Sequence, residues 1–576
     1  MMATHVKTQS PIWVHPDKNP ELVETIVSSL TIDPVIAQVL VSRGFKTVDE
    51  VRDFLYVRLS NLLDPKLFPE MDKAVHRVLL ALERGEAVLV YGDNDVDGMT
   101  AAALLTEFIR SIGLKAVVNI PKRESKSQIG DAIQIALKNQ CKLMITVDCG
   151  ITAAKEIETV VENGIDVIVT DHHEPTSTIP LCVATLNPKL INSTYPNREL
   201  TGVGVAFKLA QSVYFSLQEQ NKIDLSKSSW ENFLDLVALG TIADMGSLRG
   251  ENRILVHYGL KLLKKMQRVG LAKLFEVSEL RPKDSSPIEI ASKIAPRLNS
   301  LGRIADPIKG VELLLVRDSE QAEELAKELN LINLERQKIE KEVAEDTKNI
   351  IFLNPEILKE KAIVLYSDKW HQGIIAILAA RIANQYNRPT IIISIKDGVG
   401  KGSGRTIPEF PLLPVLKKNA DLLIDFGGHD YAAGLTIREE NIPKFQKRFI
   451  KAAQEALNDQ DVIPKLHLDA KLNFSDLSFD FMEYYHLLEP FGNENQPPIF
   501  YCDAVQLWRP QLLGKFHIKL FFEQGWEGVA FGLAERRDEL RGGKGVKLQI
   551  AFTPTINRYQ NKQSIQLHIK DFKVLG

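Results

Sequence analysis

Acidic and imidazole side chains recur along this chain in one local setting, directly after a short apolar run. "AVLVYG" at 87–92 leads into "DNDVDG", "KLMITV" at 142–147 into "DCG", and "DVIVT" at 166–170 into "DHHE". Asp93, Asp95, Asp97, Asp148, Asp171, His172 and His173 thus stand just beyond the ends of buried strands. An isolated Asp in such a place is ordinarily a turn or capping residue. Successive strand ends that are all acidic are not explained by capping. Carboxylates gathered at this density repel one another unless counter-charge sits among them, and divalent cations supply it. Mixed carboxylate and imidazole ligands suit Mn2+ or Mg2+, admit Zn2+, and suit Ca2+ poorly. Two such ions, about 3.5–4 Å apart, activate water and stabilise an in-line displacement at phosphorus. "LVALGTIADMGSL" adds one more acid after an apolar run, Asp244.

Periodicity indicates the elements that must position these groups. After "AVLVYG" come a helical pattern in "TAAALLTEFIRSIG" (100–113), a strand in "KAVVNI", a helix in "DAIQIALKN", a strand in "KLMITV", a helix in "TAAKEIETVVENG" and a strand in "DVIVT". Strands alternating with helices of this length predict a parallel sheet with crossover helices. Ligands of such sheets sit beyond the carboxyl ends of the strands. In "DNDVDGMT" alternate residues of an extended turn point the same way, which aims Asp95 and Asp97 at neighbouring ions. Gly98 then lets the backbone turn into a helix whose N-terminus favours an anion.

The 576 residues exceed what one core can organise and predict about three or four domains. Residues 1–80 read as short helices and 81–318 as the parallel α/β domain. A charged run without Gly or Pro at 319–350 reads as one connecting helix. Residues 351–460 read as a smaller α/β domain, and 465–576 as a β-barrel of OB type. The net charge of −3 gives no hint of a polyanionic partner, but residues 501–576 hold 12 Lys and Arg against 7 Asp and Glu. Four cysteines without Cys-x-x-Cys spacing fit a reducing compartment and argue against a disulfide scaffold or a cysteine zinc site. No apolar leader and no long uninterrupted apolar stretch is present, so the expectation is a cytoplasmic protein without membrane spans.

The motifs "YGDNDVDGMTAAALL", "ITVDCGIT", "VIVTDHHEP" and "LVALGTIADMGSL" resemble, in order, those of the DHH phosphoesterases. "TGVGVAFKLA", "APRLNSLGRIADP", "WHQGIIAILAARI", "GSGRTI", "GGHDYAAGLTI" and "LEPFGNENQPPIF" narrow the resemblance to the RecJ single-strand-specific exonucleases within them. The resemblance covers nearly the whole chain. It implies a DHH domain, a long helix, a DHH-associated domain and an OB domain. It implies processive 5′→3′ hydrolysis of single-stranded DNA to mononucleotides, dependent on Mn2+ or Mg2+ in a two-metal site, in DNA repair and recombination. The partners implied are single-stranded DNA, a single-strand-binding protein and a helicase, around a monomeric enzyme.

Carried over position by position, Asp95 and Asp97 match metal ligands of the first motif, and Asp148 the acid that bridges the metals. His172 and Asp244 match the remaining ligands. His173 matches the histidine that faces the scissile phosphate, and Asp171 would orient its neighbours. Arg123, Asn299, Arg303, His371, Ser403, Arg405, Gly427, Gly428 and His429 match substrate-contacting positions. Each also has a plainer reading: a tight turn for Gly427 and Gly428, a structural hydrogen bond for Asn299 and Arg303. In the barrel, Trp508, Phe516, Phe521 and Tyr559 are candidates for stacking on bases. Relative to the family pattern, "IPKRESKSQIG" (120–130) replaces a Gly-Tyr-Gly loop, Tyr91 stands where some members have His, and "WHQG" replaces "WHEG". Two other readings stay open: a DHH phosphodiesterase on short oligonucleotides or cyclic dinucleotides, and a nucleic-acid-binding scaffold on the same fold with weakened catalysis.

Overall fold

The computed structural model describes residues 10–122, 128–222, 229–559 and 562–575. It divides into two compact units, one of residues 53–335 with 488–496, the other of residues up to 52 with 336–487 and 497 onward.

The first unit is built on a five-stranded sheet of β1 (Ala87–Gly92), β2 (Ala116–Asn119), β3 (Cys141–Val147), β4 (Asp166–Thr170) and β5 (Ala184–Leu186). The order is β2-β1-β3-β4-β5 and every pairing is parallel. Every residue of β1 is buried, because a parallel sheet is covered on both faces and its strands are near-continuous apolar runs. Alternate residues serve the two faces. Val88, Val90 and Ile145 join the larger core, while Leu89, Tyr91, Met144 and Val167 pack on the opposite side. Tyr91 is therefore a core residue. The chain leaves β1 towards β2 on one side and returns to β3 on the other. The crevice at this reversal lies beyond the carboxyl ends of β1 and β3, where ligands of open α/β sheets bind.

Three helices bear on that crevice: α1 (Val96–Ser111), α2 (Gly202–Glu219) and α3 (Leu234–Ala243). In α1, 13 of 16 residues are buried, which fits a helix apolar nearly all round; it packs against both α2 and α3. The sequence pattern placed its start at residue 100. The helix begins four residues earlier, at Val96, with Asp95 as N-cap accepting from Gly98 N at 3.1 Å. The first acidic motif is thus a cap and a first helical turn rather than an extended turn. Asp and Asn are favoured at the cap because they satisfy otherwise unpaired N–H groups.

The long connecting helix is α4 (Ser319–Leu353). The second unit contains a five-stranded mixed sheet of β6 (Ile363–Ser367), β7 (Thr390–Lys396), β8 (Val399–Arg405), β9 (Leu423–Gly428) and β10 (Ala432–Arg438), in the order β9-β10-β8-β7-β6. It also contains a barrel of β11 (Phe500–Leu513), β12 (His517–Phe522), β13 (Glu527–Ala530), β14 (Lys547–Tyr559) and β15 (Lys562–Val574), closed by pairing of β11 with β14. Two of the N-terminal helices, Pro20–Leu30 and Pro34–Ser42, start with Pro after an Asn or Asp cap. Among the described residues no helix is long and apolar enough to cross a membrane.

Candidate metal centre

The strand ends deliver their acids to one place. His172 Nε2 lies 3.1 Å from Asp148 Oδ1, 3.8 Å from Asp244 Oδ2 and 3.9 Å from Asp97 Oδ2. Three overlapping sets, Asp93 with Asp95 and Asp148, Asp97 with His172 and Asp244, and Asp148 with His172 and His173, each bring their ligand atoms within 4.8 Å of one another. All five residues expected to hold metal, Asp95, Asp97, Asp148, His172 and Asp244, belong to these sets.

Backbone groups hold the acids in position. Asp97 accepts from Gly202 N at 2.7 Å and Val203 N at 2.9 Å, so its charge sits on the N-terminus of α2. That approach requires glycine: a Cβ on Gly202 would lie 2.4 Å from Asp148 Oδ1. Gly240 of α3 is required likewise, since its Cβ would meet Thr100 Oγ1 at 2.3 Å and Asp97 Oδ1 at 2.8 Å. Asp148 has φ 60°, a left-handed conformation uncommon outside glycine, and its N–H donates to Thr170 O at 2.9 Å. Asp171, buried at the end of β4, accepts from Ile151 N, His172 N and His173 N at 2.9, 2.7 and 3.0 Å. Its Oδ1 also lies 2.8 Å from His173 Nδ1. The residue between strand and ligands is therefore the organiser of both histidines.

Electrostatics give the test for a cation. Burial and then the neighbouring acids push Asp97 and Asp148 well above the usual carboxylate range. The same causes raise Asp93 to about 6 and Asp244 to about 7. The Asp171 bond holds the His173 imidazolium up to about 9 against its burial. Burial also raises Asp171, but the bonds from His173 and the backbone N–H groups outweigh it and leave this acid below its usual range. Asp148 Oδ1 is buried without a hydrogen-bond partner. His172 Nε2 stands beside it at 3.1 Å. A buried carboxylate oxygen without a hydrogen-bond partner, in a cluster of repelling carboxylates, fits a divalent cation, and the oxygen-rich donor set fits a hard one.

Of the predicted substrate residues, Asn299 lies at this centre: its Oδ1 accepts from Val96 N at 3.1 Å, between Asp95 and Asp97. It fastens the first acidic motif. Gly302 closes on the same loop, where a Cβ would lie 1.9 Å from Asn94 O. Arg303, next in sequence, is half-buried. Arg123 lies outside the described residues.

The remaining candidates are in the second unit. Ser403, Gly434 and Gly427 pair in a row across β8, β10 and β9. A Cβ on Gly427 would meet nothing within 4 Å, and one on Gly434 only Gly402 O at 3.9 Å. The two glycines thus form a bare strip of backbone beside the buried Ser403. Gly428 has φ 127° and a Cβ there would collide with Ala432 O, so it needs glycine for the turn itself. Arg405 pairs with Ala432 at the end of the row and donates to Gly404 O at 2.7 Å and Ser403 Oγ at 3.3 Å. His429 is exposed. His371 accepts from Gly373 N at 3.0 Å within its own turn. On the barrel, Trp508 and Phe516 are 48% and 61% exposed, and Arg509 stacks over both Trp508 and Phe521 at 5.0 and 4.5 Å. The side chain of Tyr559 lies outside the described residues.

Sequence pattern alone did not single out Gly202, Gly240 or Gly302 as site residues, whereas the small residues of "GGH" and "AAG", the latter ending at Gly434, did suggest a close backbone approach. Gly202, Gly240 and Gly302 each stand inside one of the family motifs, and an unexplained glycine within such a run was the available signal.

Residues 87–241 match the model of the DHH family N-terminal domain, 359–455 that of the DHHA1 domain and 468–571 that of the RecJ OB domain. Over 571 residues the chain is 32% identical to the single-stranded-DNA-specific exonuclease RecJ of Bacillus subtilis, covering 98% of this chain and 71% of that one. The crystal structure of RecJ from Thermus thermophilus in complex with Mn2+ matches with a TM-score of 0.81 at 27% identity, over 98% of this chain and 79% of that one. The same protein in complex with Mg2+ matches with a TM-score of 0.76 at 25% identity, over 98% and 78%.

Proposed function

The chain belongs to the RecJ family of single-stranded-DNA-specific exonucleases, and on that premise we infer how its acidic rim acts. It is a metal-dependent exonuclease that hydrolyses terminal phosphodiester bonds of single-stranded DNA, using Mn2+ or Mg2+. Asp95, Asp97, Asp148, His172 and Asp244 are the residues that hold the cations, as two ions shared among them. The observation that carries this reading is the buried Asp148 Oδ1, without a hydrogen-bond partner and 3.1 Å from His172 Nε2, within a group of carboxylates that cannot all ionise without a cation.

Bound divalent ions supply Lewis acidity at phosphorus and acidify an attacking water. The protein's own groups do the rest. Asp97 and Asp148 are immobilised before substrate arrives, so little reorganisation accompanies the reaction. His173, protonated at neutral pH and fixed through Nδ1 by Asp171, presents its Nε2–H to a non-bridging phosphate oxygen. The bare strip of Gly434 and Gly427, with Ser403, Arg405 and His429 beside it, receives the sugar-phosphate backbone closely because the glycines interpose no side chain. The exposed Trp508 with Arg509 and Phe521 offers stacking and charge to single-stranded bases.

The polarity we infer is 5′→3′ with mononucleotide products, resting on the family resemblance. Its setting is DNA repair and recombination in the cytoplasm, as a monomer working with a single-strand-binding protein and a helicase. The work divides among a DHH domain at 81–318, a DHH-associated domain at 351–460 joined by the helix at 319–350, and an OB domain at 465–576, behind a helical segment at 1–80.

The test is hydrolysis of a long single strand with Mn2+, blocked at the 5′ end in one arm and at the 3′ end in the other, with Asp95→Ala and Asp148→Ala alongside. Mononucleotides released from a free 5′ end by the parent alone are the expected result. Release from a free 3′ end would overturn the polarity. Release undiminished in both variants would overturn the assignment of the metal ligands.

A further inference from the structure

The loop Leu488–Gln496 precedes the first barrel strand in sequence, yet it packs within the unit that carries the acidic rim. It holds its own shape. Gly492 N donates to Asn495 O at 2.9 Å and Asn495 N to Gly492 O at 3.1 Å, which places Asn493 and Glu494 at the tip of a tight turn. The buried Asn495 amide donates to Leu488 O at 2.8 Å and Pro490 O at 2.9 Å.

The tip of this turn meets the backbone that follows Asp244. Asn493 Nδ2 donates to Met245 O at 2.6 Å, and Leu248 N donates to Asn493 O at 3.0 Å. Ser247 Oγ donates to Glu494 Oε2 at 2.5 Å, and Arg249 Nε to Glu494 O at 3.1 Å. Further along, the buried Arg253 donates to Leu488 O at 3.1 Å and Glu489 O at 2.6 Å, which fixes the base of the loop to the same stretch.

Asp244 needs such support more than Asp97 does. Asp97 is anchored by two backbone N–H groups and Asp171 by three. Among the described residues no hydrogen-bond donor to the Asp244 carboxylate is found, and His172 Nε2 approaches it only to 3.8 Å, so its position rests chiefly on its backbone. That backbone is the C-cap of α3. Gly246 N donates to Thr241 O at 2.9 Å and Met245 N to Ile242 O at 3.2 Å, the pattern in which a left-handed residue ends a helix. Glycine ordinarily fills that position. Here it is Met245 at φ 57°, a conformation disfavoured by its Cβ. The bond from Asn493 holds the carbonyl of this residue, and the bond from Leu248 N holds the far end of the turn.

We propose that Asn493 is a positioning residue for Asp244: through the Met245 peptide, 248 residues from Asn493 in sequence, it sets this carboxylate for cation binding. The proposal rests on the metal-centre reading given above.

The experiment is titration of the full-length protein with Mn2+, followed by the electron paramagnetic resonance of free Mn2+, with thermal unfolding as the check on folding. Asn493→Leu keeps the size of the side chain and removes the donor. It is expected to fold and to weaken Mn2+ binding about tenfold, as loss of an outer partner of a metal ligand does. The Mn2+ needed for half-maximal hydrolysis should rise in proportion, while kcat at saturating Mn2+ recovers towards that of the parent. Ser247→Ala, which releases the same turn at its neighbouring bond, should shift affinity in the same direction by a smaller factor; it decides the matter if Asn493→Leu does not fold. Parent affinity in a folded variant, or lost activity with unchanged affinity, would overturn the proposal. Asp244→Asn serves as reference. Weakened Mn2+ binding in it supports the metal-centre reading; undiminished binding would overturn that reading and the role of Asn493 with it.

Discussion

In the parallel-sheet unit Asp97 and Asp148 are buried and held by the backbone around them, whereas on the glycine-lined strands of the second unit Gly427, Gly434 and His429 lie open. Asp97 and Asp148 are 1% and 2% exposed, and the conformation around them is set by N–H groups of α2 and by glycines that admit no Cβ. Gly427, Gly434 and His429 are exposed, and a Cβ on either glycine would enter open space. On the reading proposed here, the difference follows from what each region has to meet. A small cation needs several oxygens held at fixed separations, and the repulsion of gathering them is withstood only if the backbone prevents them from drifting apart. A polymer that slides needs room along its backbone and contacts that do not lock it.

Removing a fastened ligand should do most damage. Asp148→Ala is expected to cost about 4 kcal/mol of transition-state stabilisation, roughly a thousandfold in kcat/KM, measured by mononucleotide release at saturating Mn2+. A loss of only a few-fold would mean that this acid is not shared between cations.

Filling the bare strip should act differently. Gly434→Val places bulk where only Gly402 O lies nearby, so stability should hold while KM for single-stranded DNA rises about tenfold, or about 1.4 kcal/mol. Unchanged KM and kcat would remove this strip from the path of the substrate and break the contrast between the two regions.

Stability against pH sharpens the same contrast, because among the described residues the strongly raised carboxyls lie at the rim. Asp93 and Asp244 move from 3.8 to about 6 and about 7 on folding, so between roughly pH 4 and 7 the folded state binds more protons than the unfolded chain. Metal-free protein should therefore lose stability as pH rises through that window. Calorimetry should show Tm falling by about 5 °C, and Mn2+ added at about pH 7.5 should restore it. A metal-free Tm that rises over the window would show that these acids are not repelling one another.

The smallest effect concerns the fastening of the first motif. Asn299→Ala removes one acceptor for a helix N-terminal amide, worth about 1 kcal/mol. It should lower Tm by a few degrees and raise the Mn2+ requirement slightly without altering KM for DNA. A raised KM with unchanged Tm would instead place Asn299 on the substrate.

The strands and the side on which their acids emerge could be read directly, because strands covered on both faces are unbroken apolar runs and the ligand side of a parallel sheet is its carboxyl edge. The start of α1 could not. "DNDVDG" has the polarity of a turn, and the burial of Asp97 in the first helical turn is compensated by N–H groups of Gly202 and Val203, from another helix. The function of Asn299 was undecidable for the same reason: one residue type serves a phosphate and a backbone amide equally well. The loop at 488–496 has no periodicity, and nothing local reveals which unit it joins.

The sequence by itself determined the chemistry available: four acidic segments and a His pair at the ends of apolar runs, a parallel sheet, a mixed sheet and a barrel. Tertiary structure alone decided which of those acids meet. Asp244 caps a helix rather than ending a strand, yet its carboxylate stands 3.8 Å from His172 Nε2. Periodicity records which side of an element is buried, and that is a local property. Distances between side chains of different elements depend on how closely helices approach one another and the sheet. Here single glycines at 202 and 240, by leaving out a Cβ, set those distances.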